Sequence, residues 1–299
     1  MITATKNLIK VLPESLIAGF LMIISGISIS LMTALVRYAS AEMHPFEIAF
    51  FRSFLVLPLL TPIIFRTGLN IFKTSNPKFQ IIRALAGSAA ILCFFYGLSI
   101  TELAKTQALG LTVPVFSTLL AIFFLGEVVG IKRWGAMLMG FIGAIIIMRP
   151  DVSIGIGPIV ILCACFFWSS SVLIAKVLTR TDSNLTITLW SAIGIIPATF
   201  ILSLGVWKWP SSEQLIILFI ITIFGTIAQF TLVAALKRGN VSFILPLDYL
   251  KLLWAVMLGF YFFGEIPNSS IWFGGILIIF STTYITSREA IIEKSKKHP

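Results

Sequence analysis

Leu125-Gly126-Glu127, followed seven residues later by Trp134, recurs as Phe263-Gly264-Glu265 followed by Trp272. The offset between the two is 138 residues, and the same shift lays Ser53 on Ser191 and Phe95-Tyr96-Gly97-Leu98 on Val233-Ala234-Ala235-Leu236. The second half of the chain repeats the first. Where the repeated unit is a membrane bundle, this is the usual sequence mark of a carrier that moves one repeat against the other. Transport is therefore expected before any motif is read.

The membrane follows from composition. A hydrophobic fraction of 58%, only 11% charged residues and a mean hydropathy of +1.02 exclude a soluble globular protein. A span needs roughly 20 apolar residues, and ten runs qualify: 16–37, 45–65, 79–99, 103–125, 132–149, 155–177, 184–206, 213–236, 241–263 and 270–287. Connections between them are too short for a separate soluble domain. Lys6 and Lys10 precede the first run and Ala39-Ser40-Ala41 resembles a cleavage site. The apolar core is longer than a secretory h-region, however, so this run reads as a retained helix.

Lys and Arg set the orientation. With the N-terminus inside, sixteen fall on the cytoplasmic side, from Lys6 and Lys10 through Lys132, Arg133, Lys176 and Arg180 to Lys297, while Arg37, Lys105, Arg149 and Lys208 fall on the other. This positive-inside bias predicts a multi-pass membrane protein with both termini cytoplasmic. The net charge of +10 thus reports topology and attraction to anionic lipid, and nucleic acid is not an expected partner. Five helices per half is an odd number, so the halves enter the membrane in opposite senses, as inverted repeats. In such folds the substrate site lies near the midplane between the repeats.

Four ionisable residues lie within spans or at their mouths: Glu47 and Arg52 on the second run, Asp248 and Lys251 on the ninth. A charge at bilayer depth costs at least ~2.5–3.5 kcal/mol, so each is expected to face the bundle interior and to act on substrate; the alternative is an ion pair that only fixes packing. Asp248 and Lys251, about 60° apart on a helix, share a face, whereas Glu47 and Arg52, about 140° apart, do not. Glu47 follows Pro45 at the outer mouth and Arg52 lies ~7 Å deeper. A pair between Arg52 and Asp248 would leave Lys251 an unmatched cation that a substrate carboxylate or phosphate would satisfy. Trp168, Trp190, Tyr249 and Trp254 lie inside spans, where they either stack on a planar or cationic part of a ligand or pack against lipid and neighbours.

The remaining candidates are weaker. Cys163 and Cys165 point about 200° apart on one helix and both histidines, His44 and His298, lie elsewhere, so no metal site is expected. Pro114 marks a kink in the fourth run. Gly87, Gly97, Gly110, Gly140, Gly143, Gly274 and Gly275 read as close helix contacts. Ser169-Ser170-Ser171, Gln107 and Gln229 either line a cavity or hydrogen-bond locally.

His44-Pro45-Phe46-Glu47-Ile48-Ala49-Phe50-Phe51-Arg52, Pro114-Val115-Phe116 leading to Leu125-Gly126-Glu127, Met148-Arg149-Pro150 and Phe263-Gly264-Glu265 together resemble the drug/metabolite transporter superfamily, in its EamA-type ten-helix branch. The resemblance implies an all-α integral membrane fold, ten transmembrane helices in two inverted five-helix repeats at 16–149 and 155–287, with a basic tail at 288–299. Pro246-Leu247-Asp248-Tyr249-Leu250-Lys251-Leu252 is similar to the corresponding segment of bacterial S-adenosylmethionine uptake carriers. Those carriers have a basic residue before the Tyr and Glu at the position of Lys251, so both charges are interchanged here. The resemblance implies a small zwitterionic or anionic metabolite as substrate, amino-acid-like or nucleoside-linked, with S-adenosylmethionine favoured and an exporter of related metabolites as the alternative. It implies the bacterial inner membrane as the location and calls for no cofactor, and ten helices enclose a site within a monomer. Coupling to a proton on Glu47 or Asp248, or plain solute exchange, would each serve the cycle. An intramembrane enzyme would need a buried histidine, an Asp pair or a Ser with its base, none of which the spans contain. A channel is disfavoured by the inverted repeat.

Overall fold

The computed structural model describes residues 14–68, 72–125, 131–148, 155–178, 181–238, 247 and 250–297. These residues form eleven helices: α1 Glu14–Ala39, α2 Pro45–Thr67, α3 Pro77–Ser99, α4 Leu103–Gly110, α5 Val113–Leu125, α6 Ile131–Met148, α7 Ile156–Leu178, α8 Asn184–Leu204, α9 Ser212–Arg238, α10 Leu250–Phe263 and α11 Ser269–Lys297. Among the described residues helix is found in each of the ten expected runs, in the ninth at Leu247 and from Leu250 onward, since 241–246, 248 and 249 lie outside the described residues. Six helical segments are long and apolar enough to cross a membrane. The fold is all-α and its outer surface is apolar, with Phe65, Phe123, Phe124 and Tyr261 all more than 70% exposed; that is the surface lipid requires.

Local chemistry starts the helices where the chain turns. Ser183 accepts from the amide of Thr186 at 3.1 Å, and Ser211 and Gln214 cap one another reciprocally at 2.9 and 3.2 Å. Within the spans, hydroxyls bond back to their own helix: Ser30 to Gly26, Ser53 to Ala49, Ser88 to Ala84 and Thr222 to Leu218, each at 2.8 Å. These polar groups are thereby neutralised where water is absent.

Two differences from the sequence expectation stand out. The fourth run is two helices, α4 and α5, separated at Leu111-Thr112, where the amides of Leu111 and Thr112 bond to Ala108 and Leu109. Pro114 therefore sits in the first turn of α5, where its missing N–H breaks no helical bond. The last helix, α11, continues through Lys297, into the stretch expected as a tail; that stretch is rich in Glu, Lys and Ile and holds no Gly or Pro before Pro299.

The 138-residue offset is a structural two-fold. Helix α1 packs along α9, and α3 along α7, and exchanging the halves exchanges these pairs. The axis passes through the crossing of α6 and α11. A Cβ on Gly143 would lie 2.7 Å from the carbonyl of Gly274, and one on Gly274 would lie 2.5 Å from the carbonyl of Gly143. The offset carries that contact onto Ser281 and Ala136, and the Ser281 hydroxyl indeed bonds to the Ala136 carbonyl at 2.5 Å. Residue 143 meets 274 while 136 meets 281, so the two helices run antiparallel. Equivalent helices of opposite direction are an inverted repeat.

Candidate functional site

Arg52, in the third turn of α2, projects between α1 and α9. A Cβ at Gly225 would lie 3.1 and 3.2 Å from its Nη2 and Nε and 2.9 Å from Met32 Sδ, so the glycine is what lets the guanidinium in. Its Nε is buried with no hydrogen-bond partner among the described residues. Such orphaned donors are rare, and at bilayer depth they point to a ligand.

Lys251, in the first turn of α10, lies on another side of α1. Its backbone carbonyl accepts from Ser30 Oγ at 3.3 Å, and its backbone N and Cβ stand 3.9 Å from where a Gly26 Cβ would be. Its ammonium is close enough to act electrostatically on Cys165 of α7. Around α1, Met32 is about 120–160° from Gly26 and Ser30, so the two cations do not touch. They flank a stripe of α1, Ile24, Ile27 and Leu31, that is only half-buried.

Trp168 breaks the burial pattern of α7. On α7, Ile161 and Cys165 are 0% and 3% exposed, yet Trp168, about 20° from Ile161, is 48% exposed and Val172, about 20° from Cys165, is 49% exposed. The helix is also exposed roughly opposite, at Ile159, Cys163 and Phe166. Trp168 and Val172 are therefore uncovered on the side of α7 whose earlier residues pack into the bundle. Gln229 on α9 is likewise exposed, about 20° from buried Thr222 and 160° from exposed Ile227.

The other expected site residues fall differently. Glu47 is 1% exposed, and its carboxylate is taken by two backbone amides, that of His44 at 3.2 Å and that of Lys208 between α8 and α9. It caps its own helix and ties down that connection. Trp190 donates to the carbonyl of Phe72 at 3.0 Å and so serves packing. Trp254 keeps a buried indole N–H without a partner among the described residues. Asp248 and Tyr249 lie outside the described residues, as does any pairing of Arg52 with Asp248. The polar candidates differ: Ser169, Ser170 and Ser171 bond to the carbonyls of Val113, Phe166 and Arg83, Gln107 bonds to Thr33 at 3.1 Å, and Gln229 is exposed. Gly225 was missed, because only the tertiary approach of Arg52 gives that glycine its role.

A family profile described as EamA-like transporter family matches residues 16–149 and again 155–287. An S-adenosylmethionine uptake transporter of Rickettsia conorii is 30% identical, over 89% of this chain and 91% of its own. A riboflavin transporter of Rhizobium johnstonii is 29% identical, over 93% of both chains. A solved crystal structure that is 17% identical superposes with a TM-score of 0.60, covering 92% of this chain and 98% of that one, and so shares the fold.

Proposed function

The chain belongs to the EamA-like transporter family, and on that premise we propose a secondary carrier for a small zwitterionic or anionic metabolite, with S-adenosylmethionine as the favoured substrate. The protein is a multi-pass membrane transporter and not an enzyme. The observation that carries the finer reading is the orphaned Arg52 Nε. A guanidinium held between α1 and α9 whose Nε has no acceptor among the described residues is suited to a carboxylate, which it would bind through two parallel N–H donors. Exposed Trp168 would offer an aromatic face to the substrate path, which suits a sulfonium cation or an adenine ring. S-adenosylmethionine carries a carboxylate, a sulfonium and an adenine on one short molecule. The half-buried stripe of α1, flanked by Arg52 and Lys251, is where we place it. Riboflavin would use the aromatic face but has no carboxylate for Arg52.

Alternating access in the inner membrane, with both termini cytoplasmic and the monomer as the working unit, completes the proposal; the inverted repeat supports the mechanism. The reading is tested by uptake of labelled S-adenosylmethionine into cells expressing the chain, challenged with methionine, riboflavin and decarboxylated S-adenosylmethionine. Methionine should compete and the decarboxylated analogue should compete poorly. Equal competition by the decarboxylated analogue would remove the role given to Arg52, and competition by riboflavin alone would replace the substrate.

A further inference from the structure

At the end of the bundle where α1 finishes, Arg37 reaches across two connections. Its Nη2 lies 2.5 Å from Glu265 Oε1, with the two side chains only 20% and 10% exposed. Its Nη1 donates to the carbonyl of Thr101, and its guanidinium carbon lies 5.3 Å from the centre of the Phe263 ring. The other oxygen of Glu265 accepts from the amide of Leu103, the first residue of α4, at 2.8 Å. The turn that presents Glu265 depends on two glycines. Gly264 has φ +64°, a left-handed conformation that suits glycine, and a Cβ at Gly259 would lie 2.9 Å from Glu265 Oε2. One ion pair thus joins α1, the α3–α4 connection and the α10–α11 connection.

Three observations say what the pair is for. First, it spans the two repeats: Arg37, Thr101 and Leu103 lie in the first, and Glu265, with the Phe263 ring against Arg37, lies in the second. Second, framework contacts recur at the 138 offset, whereas Arg37 itself has no basic counterpart there. Asn76 bonds to Thr181 at 3.0 Å, and its equivalent Gln214 bonds to Glu42, beside the equivalent of Thr181, at 3.1 Å. Arg37 maps onto Ala175, while Glu265 maps onto Glu127, which lies outside the described residues. Third, exposed Trp168 and Val172 lie on the half of α7 that runs away from this end of the bundle. A desolvated ion pair is weak as a source of stability, because the cost of dehydrating both charges offsets their attraction. It is well suited to a contact that has two states.

We propose that the Arg37–Glu265 pair is the gate on this face: it holds the substrate path shut where α1 ends and parts when the binding space opens to that side. This rests on the carrier reading, but its test needs no substrate. Thr33 lies one turn below Arg37 on the same face of α1 and is 0% exposed, so it reports opening there; Val172 reports the opposite end. In a background with Cys93, Cys163 and Cys165 replaced by Ala, a membrane-impermeant maleimide is applied separately to each face of vesicles carrying Thr33→Cys or Val172→Cys. Arg37→Ala, and Glu265→Gln as the milder variant that keeps shape and an acceptor for Leu103, should speed labelling of Thr33→Cys from the Arg37 face by roughly tenfold, the worth of one charged hydrogen bond. Both should slow labelling of Val172→Cys from the other face. Unchanged labelling of Thr33→Cys in both variants would overturn the gate. So would faster labelling at both reporters, which would mean a loosened bundle. Either result leaves the carrier reading standing, whereas loss of the substrate assignment would leave these rates untouched.

Discussion

Gly225 and Arg52 form the unit on which substrate recognition turns. A methyl at Gly225 would press on Met32 Sδ at 2.9 Å and on the guanidinium at 3.1–3.2 Å. Both neighbours are ends of flexible side chains, so Gly225→Ala is expected to fold and express while displacing the guanidinium. Its KM for a carboxylate-bearing substrate should rise about tenfold, equivalent to about 1.4 kcal/mol; an unchanged KM would separate Arg52 from the site. At the gate, burial pushes the Glu265 carboxyl above the ordinary range; the Leu103 amide and Arg37 pull it back in part and Glu102 adds to the rise. The carboxyl therefore takes up its proton at a higher pH than an ordinary glutamate, and the attraction to Arg37 is lost as pH falls through that raised value. Labelling of Thr33→Cys from the Arg37 face, taken relative to the Glu265→Gln variant, should rise on mild acidification. A flat ratio would mean the carboxyl does not titrate there. The charges at bilayer depth were legible in the sequence, as were the opposed faces of Cys163 and Cys165, now seen exposed and buried. The capping role of Glu47 was not, because its second partner is a backbone amide 161 residues away.

Between elements, the α6–α11 crossing sets the strictest demand. Each glycine there would drive a Cβ into the other helix's carbonyl at 2.5–2.7 Å, and neither backbone can yield without separating the helices. Gly143→Ala is expected to lower stability by about 1–3 kcal/mol. Gly135→Ala in the same helix meets nothing within 4 Å and should be neutral or up to about 1 kcal/mol stabilising, since alanine is the better helix former. Thermal unfolding of the two variants in detergent checks the pair, and equal melting temperatures would contradict the crossing. Apolar run length predicted the positions of the helices, because hydrocarbon thickness fixes span length whatever the packing. It did not predict the division of the fourth run, since the amides of Leu111 and Thr112 satisfy themselves within a turn and no hydropathy signal marks that change.

At the scale of the molecule, the two-fold separates framework from function. Contacts that obey the 138 offset, at α6–α11 and at the paired Asn76 and Gln214 latches, keep the repeats in register whichever face is open. Arg52 and Arg37, which the offset carries onto Trp190 and Ala175, are where the two faces must differ. The offset itself was readable from Leu125-Gly126-Glu127 and Phe263-Gly264-Glu265, and with it the inverted architecture. The gate was not: Arg37 reads as an ordinary cation near the end of its span, and its partner lies in the turn after α10, so no single segment shows the pair. Initial-rate uptake of labelled S-adenosylmethionine into vesicles bearing the unmodified chain or Arg52→Met tests the central claim most directly. The account predicts saturable uptake that Arg52→Met lowers roughly 10- to 100-fold, the loss of a charged hydrogen bond to substrate. Equal saturable uptake by both proteins would contradict it.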